Sequence, residues 1–416
     1  MEIFERIRKQ RGPLGQYANV GEGYYLFPEL EGEIGSRMKF RGKEVIMWSV
    51  NNYLGLANHP EVRKADAAAA KKWGLAYPMG ARLMTGETKL HKQLERELAE
   101  LVHKEAAAVV NYGYPAVLSA IDTLLSRRDV AVYDSNSHGC MVDGTRLHVG
   151  KRFSYKHNDI KSLEVNLERA TKVVQETGGG ILVITEGVFG MRGSQGILKE
   201  IVALKEKYDF RFFVDDAHGF GTLGKGGAGT GVEQGCQDGI DVYFATFAKS
   251  FAAIGGFIAG DEDIIQYLQY AMRSQIHAKS LPMVYVEGNL KRLDLMRKHP
   301  EFKEKLWHNA LTLQKGLRDR GLEIGTPNAV VTPVFLHGTP YEASQLVMDL
   351  RENHSIFCTM VIYPVIPKGM IILRLIPTAA HTDEDIQLTL EAFSTVSEKL
   401  SKGLYKDEVV NPLKES

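Results

Sequence analysis

The chain has 416 residues, with 51 Lys plus Arg set against 51 Asp plus Glu, so its formal net charge is zero. Binding to a nucleic-acid backbone needs a basic excess or stripe, and this balance excludes such a partner in favour of small molecules. An apolar share of 44% and a charged share of 25% describe a globular protein, too long for one core and suited to two domains.

The N-terminal MEIFERIRKQRG is charged and lacks the apolar centre of a signal peptide, and no apolar run is long enough to span a bilayer. Cys140, Cys236 and Cys358 are odd in number and far apart, which suits neither a disulfide framework nor a zinc site. The expected location is cytoplasmic.

In chain order, MKFRGKEVIMWS (38–49) reads as a hairpin. In LHKQLERELAELV (90–102), Leu90, Leu94, Leu98 and Leu101 mark one face of a helix. Seven apolar runs of strand length follow: AAAVVNYG (106–113), VAVYD (130–134), KRFSY (151–155), GILVITEG (180–187), RFFVDD (211–216), VYFATF (242–247) and GFIAG (256–260). Most are continuous rather than alternating, the pattern of strands buried on both faces of a parallel sheet. Helical stretches such as LKEIVALKEKY (198–208) separate several of them, so the expected fold is an α/β layered, mostly parallel seven-stranded sheet.

The charged helical region 291–317 then opens a smaller α+β domain. Its strands are AVVTPVFL (329–336) and MIILRLI (370–376), and its helices include PYEASQLVMDLREN (340–353) and TDEDIQLTLEAFSTVSEKL (382–400). The expected division is 1–59 joining the small domain, 60–290 as the large domain and 291–416 as the small one.

Ligands of open α/β sheets bind at the carboxyl ends of the strands. There RFFV ends in Asp215-Asp216-Ala217-His218, VYFATF leads to Ala248-Lys249-Ser250, VAVYD leads to His138, and the first strand ends at Tyr112-Gly113-Tyr114. Singly, a Lys there is a solvated residue, an Asp a helix cap and a His a satisfied polar group. Together they match the needs of pyridoxal phosphate (PLP): an amine for its aldehyde, a carboxylate for its pyridine nitrogen and backbone donors for its phosphate. GKGGAGTG (224–231) lacks the spacing of a phosphate-binding P-loop and reads as a turn.

With VDDAHGFGTLG (214–224), TFAKSFAAIGGFIAG (246–260) and SHGCMVDG (137–144), the chain resembles the α-oxoamine synthases, fold-type I PLP-dependent transferases, from NNYLGLANHP (51–60) through RLIPTAAHT (374–382). The resemblance implies that Lys249 holds the cofactor as a Schiff base and that Thr246, Gly113 and Tyr114 bind its phosphate. It implies that Asp215 pairs with the pyridine nitrogen, His218 with the ring hydroxyl oxygen, and that His138 stacks on the ring. Arg374 would fork onto the amino-acid carboxylate, with Asn51 in the same pocket. It further implies a homodimer, through the loop 273–282, and a decarboxylating condensation of an L-amino acid with a fatty acyl thioester of coenzyme A or acyl-carrier protein.

The substrate has to be read from departures. Where the family commonly has Gly-Ser-Arg, the chain has Gly80-Ala81-Arg82, and where it commonly has Phe-Ser-Met-Asp-Gly, the chain has Phe189-Gly190-Met191-Arg192-Gly193. HAKSLPM (277–283) adds Lys279. Arg192 and Lys279 as solvated surface residues would contribute little. As pocket residues they suit an anionic side chain such as that of L-cysteate, used by a subfamily of cysteate acyltransferases. L-serine is the alternative, followed by glycine or L-alanine, and an aminotransferase is the other reaction class.

Overall fold

A computed structural model describes residues 2–10, 12–15, 21–361 and 371–406. The chain divides into two compact units, Asn51–Glu304 and Met1–Val50 with Lys305–Ser416.

The large unit is built on a seven-stranded sheet. Its strands are β1 (Ala106–Val110), β2 (Val130–Asp134), β3 (Lys151–Tyr155), β4 (Ile181–Glu186), β5 (Arg211–Asp215), β6 (Val242–Thr246) and β7 (Gly256–Gly260), in the spatial order β1-β7-β6-β5-β4-β2-β3. β6, β5, β4, β2 and β3 pair in parallel, while β7 runs antiparallel to β6 and to β1. All seven apolar runs of the sequence are therefore in one sheet. β4, β6 and β7 are buried at every residue, which is why they read as continuous rather than alternating.

The helices of this unit include α1 (Pro60–Trp73), α2 (Lys89–Leu101), α3 (Gly113–Leu124), α4 (Gly139–Leu147), α5 (Ile160–Thr177) and α6 (Met283–Lys298). Ala116, Val117 and Ile121 of α3 share a core with Ala108, Ile184, Phe213, Phe244 and Ile258 of the sheet. That burial holds the N-terminus of α3 at the sheet edge where the strands end.

The boundaries correct the expected ones. Residues 291–304 belong to the large unit, because α6 packs along α1. Buried Arg292 of α6 forks onto Asp66 of α1 at 2.9 and 2.8 Å and donates to the Phe251 carbonyl at 2.7 Å. Pro300 separates α6 from the next helix, Glu301–Asp319, since a proline disfavours helical geometry in the residue before it. At the other end, 51–59 also falls in the large unit.

In the small unit, the hairpin Arg37–Phe40 and Lys43–Met47 pairs in parallel with Ile356–Phe357. A second sheet joins β8 (Thr332–Leu336) to β9 (Ile371–Leu375), with Thr359–Val361 on the far side of β9. Met370, at the start of the expected strand, lies outside the described residues. Helices α7 (Pro340–His354) and α8 (Asp383–Ser401) both begin with reciprocal capping boxes, Thr339 with Glu342 and Thr382 with Asp385. Trp48, Leu350, Leu373 and Phe393 lie in their common core. No helix among the described residues is long and apolar enough to cross a membrane.

Candidate active site

The carboxyl ends of β4, β5 and β6 bring three chemistry-bearing segments together. Asp215 closes β5 and is buried. Its Oδ1 accepts the Ala217 N–H at 3.0 Å, and the Cys140 thiol approaches Oδ2 at 3.7 Å. Burial pushes the Asp215 carboxyl up, and the Lys249 charge is the largest influence pulling it back.

Lys249 follows β6 by three residues in a turn in which Ala252 N–H donates to the Lys249 carbonyl at 2.9 Å. Ser250 fixes that turn from below, its hydroxyl donating to the Phe220 carbonyl at 2.6 Å. The Lys249 charge also acts on Glu186, His138 and Cys140, so its field reaches the whole cluster.

The neighbouring Asp216 has a structural task instead. Fully buried, it accepts the Thr230 N–H at 2.7 Å, the Thr230 hydroxyl at 2.6 Å and the Tyr243 hydroxyl at 2.9 Å. Burial raises its carboxyl to about 7 despite these donors. A Cβ at Gly187, Gly219 or Gly229 would lie 1.9–2.2 Å from an Asp216 oxygen, so three glycines make its socket. Gly229 and Thr230 come from GKGGAGTG, which is thus a turn that holds Asp216.

His218 is buried, with Nδ1 2.7 Å from the Tyr53 hydroxyl. Gly190 abuts its other side: a Cβ there would stand 2.1 Å from Nε2. His138 is the N-cap of α4. Its N–H donates to Glu186 Oε1 at 2.7 Å, and its Nδ1 accepts the Cys140 N–H at 3.3 Å. That second bond puts the ring proton of neutral His138 on Nε2, and burial favours the neutral form.

Thr246 and Gly113 meet where β6 ends and α3 begins. A Cβ on Gly113 would lie 3.2 Å from the Phe244 ring and 3.5 Å from Thr246 Oγ1. Tyr112, the N-cap of α3, offers no side-chain cap, which leaves the first-turn N–H groups beside Tyr114 for an anion. The Thr246 hydroxyl itself receives the Ala248 N–H at 3.2 Å.

The remaining expected residues are spread out. Arg192 lies in the turn of the hairpin Val188–Phe189/Ser194–Gln195, two residues past Gly190. Lys279 bridges Ala81 through its backbone, and its carbonyl accepts from the Asn111 amide, two residues before Gly113. The two cations therefore belong to different elements, Arg192 to the hairpin that carries Gly190 and Lys279 to the segment paired with Ala81 and Asn111. Arg82 is held internally by Glu95 and Glu87, both at 2.8 Å. Asn51 begins the large unit and its Oδ1 has no partner among the described residues. Arg374 is on β9 of the small unit, half-buried.

Tyr53, Cys140 and Glu186 escaped the sequence reading. Tyr53 lies within NNYLGL and Glu186 at a strand end, but which groups they touch depends on strand register.

The model of the aminotransferase class I and II family matches residues 43–393. A cysteate-C-fatty acyltransferase from Capnocytophaga ochracea is 60% identical over 405 residues, 97% of this chain and 96% of that one. The chain belongs to this family, in its α-oxoamine synthase branch. An 8-amino-7-oxononanoate synthase from Thermoanaerobacter pseudethanolicus is 35% identical to this α-oxoamine synthase over 91% of it and 94% of the relative. A serine palmitoyltransferase from S. paucimobilis, solved with a bound PLP-myriocin aldimine, superimposes with a TM-score of 0.89 at 27% identity, covering 97% of this chain and all of that one. The α-oxoamine synthase fold thus carries the expected fold-type I sheet.

Proposed function

We propose that the protein is a PLP-dependent acyltransferase that condenses L-cysteate with a fatty acyl thioester, releasing carbon dioxide and the free thiol. The 60% identity to a cysteate-C-fatty acyltransferase along nearly the whole chain is the observation that carries this reading. The residues present fit the cofactor. A buried carboxyl at Asp215 is pushed up by desolvation and suits a cationic ring nitrogen opposite it. At Gly113, the space a Cβ would fill beside Thr246 and the uncapped start of α3 suit a phosphate.

Bound PLP supplies an electron sink for the negative charge that develops at the amino acid's α-carbon. Lys249 Nζ would hold the cofactor covalently, and its amine, when free, would take the proton from the substrate α-carbon. Asp215 would face the ring nitrogen and favour its protonated form. His218, fixed by Tyr53, would donate from Nε2 to the ring oxygen, and neutral His138 would cover the ring. Thr246, Gly113 and Tyr114 would bind the phosphate, and the family resemblance assigns Arg374 and Asn51 to the substrate carboxylate. Arg192 would meet the substrate sulfonate and Lys279 the thioester arm. The acyl carbon bonds to the α-carbon as its bond to sulfur breaks, and the thiolate takes up a proton and leaves. The carboxylate departs as carbon dioxide while a proton takes its place on the α-carbon, giving an aminoketone.

As the functional unit we propose a homodimer in the cytoplasm, where the three buried, unpaired cysteines stay reduced. L-serine is the second reading, favoured by the 0.89 TM-score to serine palmitoyltransferase. A thiol-release assay with one acyl thioester and L-cysteate, L-serine, glycine and L-alanine in turn decides between them. A kcat/KM highest for L-cysteate is expected; a preference for L-serine would transfer the assignment, and release with none would remove it.

A further inference from the structure

Two carboxyl groups, rather than one, are buried at the end of the sheet. Glu186 and Asp215 are partners in the parallel register of β4 and β5, so their side chains leave the same face side by side. Glu186 is 7% exposed and Asp215 is 6% exposed. Carboxyl groups this close, with so little water, do not both ionise, because desolvation and like-charge repulsion act together.

Asp215 has the better claim to the charge: besides Lys249, the Ala217 N–H and the Cys140 thiol favour its ionised form. Glu186 is pushed well above the usual carboxylate range, first by burial and then by the Asp215 charge; Asp134 adds to this, and Lys249 and the His138 N–H oppose it. Yet Glu186 has a definite task as an acceptor. Its Oε1 takes the N–H of His138 at 2.7 Å, a donor at the helix start that has no intrahelical partner. A protonated carboxyl still accepts through its carbonyl oxygen. His138 is then held at two points, its backbone by Glu186 and its ring nitrogen by the Cys140 N–H.

We propose that Glu186 is a positioning residue: as a neutral acid it anchors His138 and leaves the single negative charge of the carboxyl pair on Asp215. This rests on the cofactor reading above.

Glu186→Gln keeps a neutral carbonyl acceptor of the same length, whereas Glu186→Ala removes it. The first readout needs no cofactor: the imidazole nitrogen NMR shifts of His138 in the cofactor-free protein. The second is PLP affinity by absorbance titration, with the pH midpoint of the bound-cofactor band. Glu186→Gln should match the parent in all three, within about twofold in affinity. Glu186→Ala should move the His138 shifts and weaken PLP by about five- to tenfold, the worth of one buried hydrogen bond. A Gln variant as impaired as the Ala variant would show that the charge is needed and overturn the proposal; so would an Ala variant like the parent. If the Ala variant does not fold by thermal melting, the Gln variant decides alone, a changed midpoint refuting the neutral acid and an unchanged one supporting it. Should the parent take up no PLP, the cofactor reading fails, while the His138 shifts still judge Glu186.

Discussion

A single methyl group at Gly190 tests the geometry of the site. An ideal Cβ there would stand 2.1 Å from His218 Nε2 and 2.7 Å from Cδ2 and Cε1, where ordinary contact begins at 3.4 Å. The ring would have to retreat by about 1.3 Å to restore that contact. Gly190 cannot give way instead, because its turn is closed by the Arg192 and Gly193 N–H groups on the Phe189 carbonyl, at 3.2 and 2.9 Å. A Nδ1 held 2.7 Å from the Tyr53 hydroxyl does not keep that bond through such a displacement. Losing a buried hydrogen bond costs about 1–3 kcal/mol, and misplacing a reacting group by about 1 Å costs on the order of a hundredfold in rate. Gly190→Ala should therefore lower kcat/KM for thiol release by about ten- to a hundredfold and shift the absorption band of the bound cofactor. Gly190→Ser should do the same. Parent-like kcat/KM with an unchanged spectrum would refute the argument that Gly190 sets the position of His218.

The purified protein should be yellow, with borohydride fixing the cofactor to Lys249. Lys249→Ala should still bind PLP but lose turnover, and a variant of normal rate would remove Lys249 from the mechanism. Arg192→Asp should weaken L-cysteate by roughly ten- to a hundredfold relative to L-serine at one acyl thioester, the worth of a charge-assisted hydrogen bond. Equal losses would assign Arg192 to the thioester arm. In the small unit, burial raises the Asp349 carboxyl, but donation from Asn353, Lys399 and Tyr405 outweighs it and brings the value down to about 2. A folded pKa below the unfolded one stabilises above the unfolded value, near 4, and that stability is lost as pH falls toward 2. Thermal melts across pH 2–5 should show this loss, and Asp349→Asn should flatten it.

The sheet was legible because burial on both faces leaves continuous apolar runs. The apolar run does not itself give the reversed direction of β7; the signal is that only nine residues, Phe247–Gly255, separate it from β6, too few for a parallel crossover. Lys249, Asp215, His218 and His138 were legible as types at strand ends, and the resemblance supplied their roles. What separates Asp215 from Asp216 is the alternation of side chains along a strand, which sends one toward the cluster and the other into the glycine socket. Tyr53, Glu186 and Cys140 were invisible because each meets its partner only through the fold: Glu186 meets His138 across 48 residues, Cys140 meets Asp215 across 75 and Tyr53 meets His218 across 165. Arg192 and Lys279 looked like one gain of positive charge, whereas their anchoring to different elements divides them.

The large unit, Asn51–Glu304, is a continuous stretch of chain inserted between the two parts of the small unit. As the polypeptide leaves the ribosome, every strand of the seven-stranded sheet is available before residue 305 is made. The hairpin strand Lys43–Met47 is made before any strand of that sheet but also pairs with Ile356–Phe357, so it must wait about 300 residues for that second neighbour. The scaffold of Lys249 can thus form while the chain is still being made, before the unit that carries Arg374 is complete.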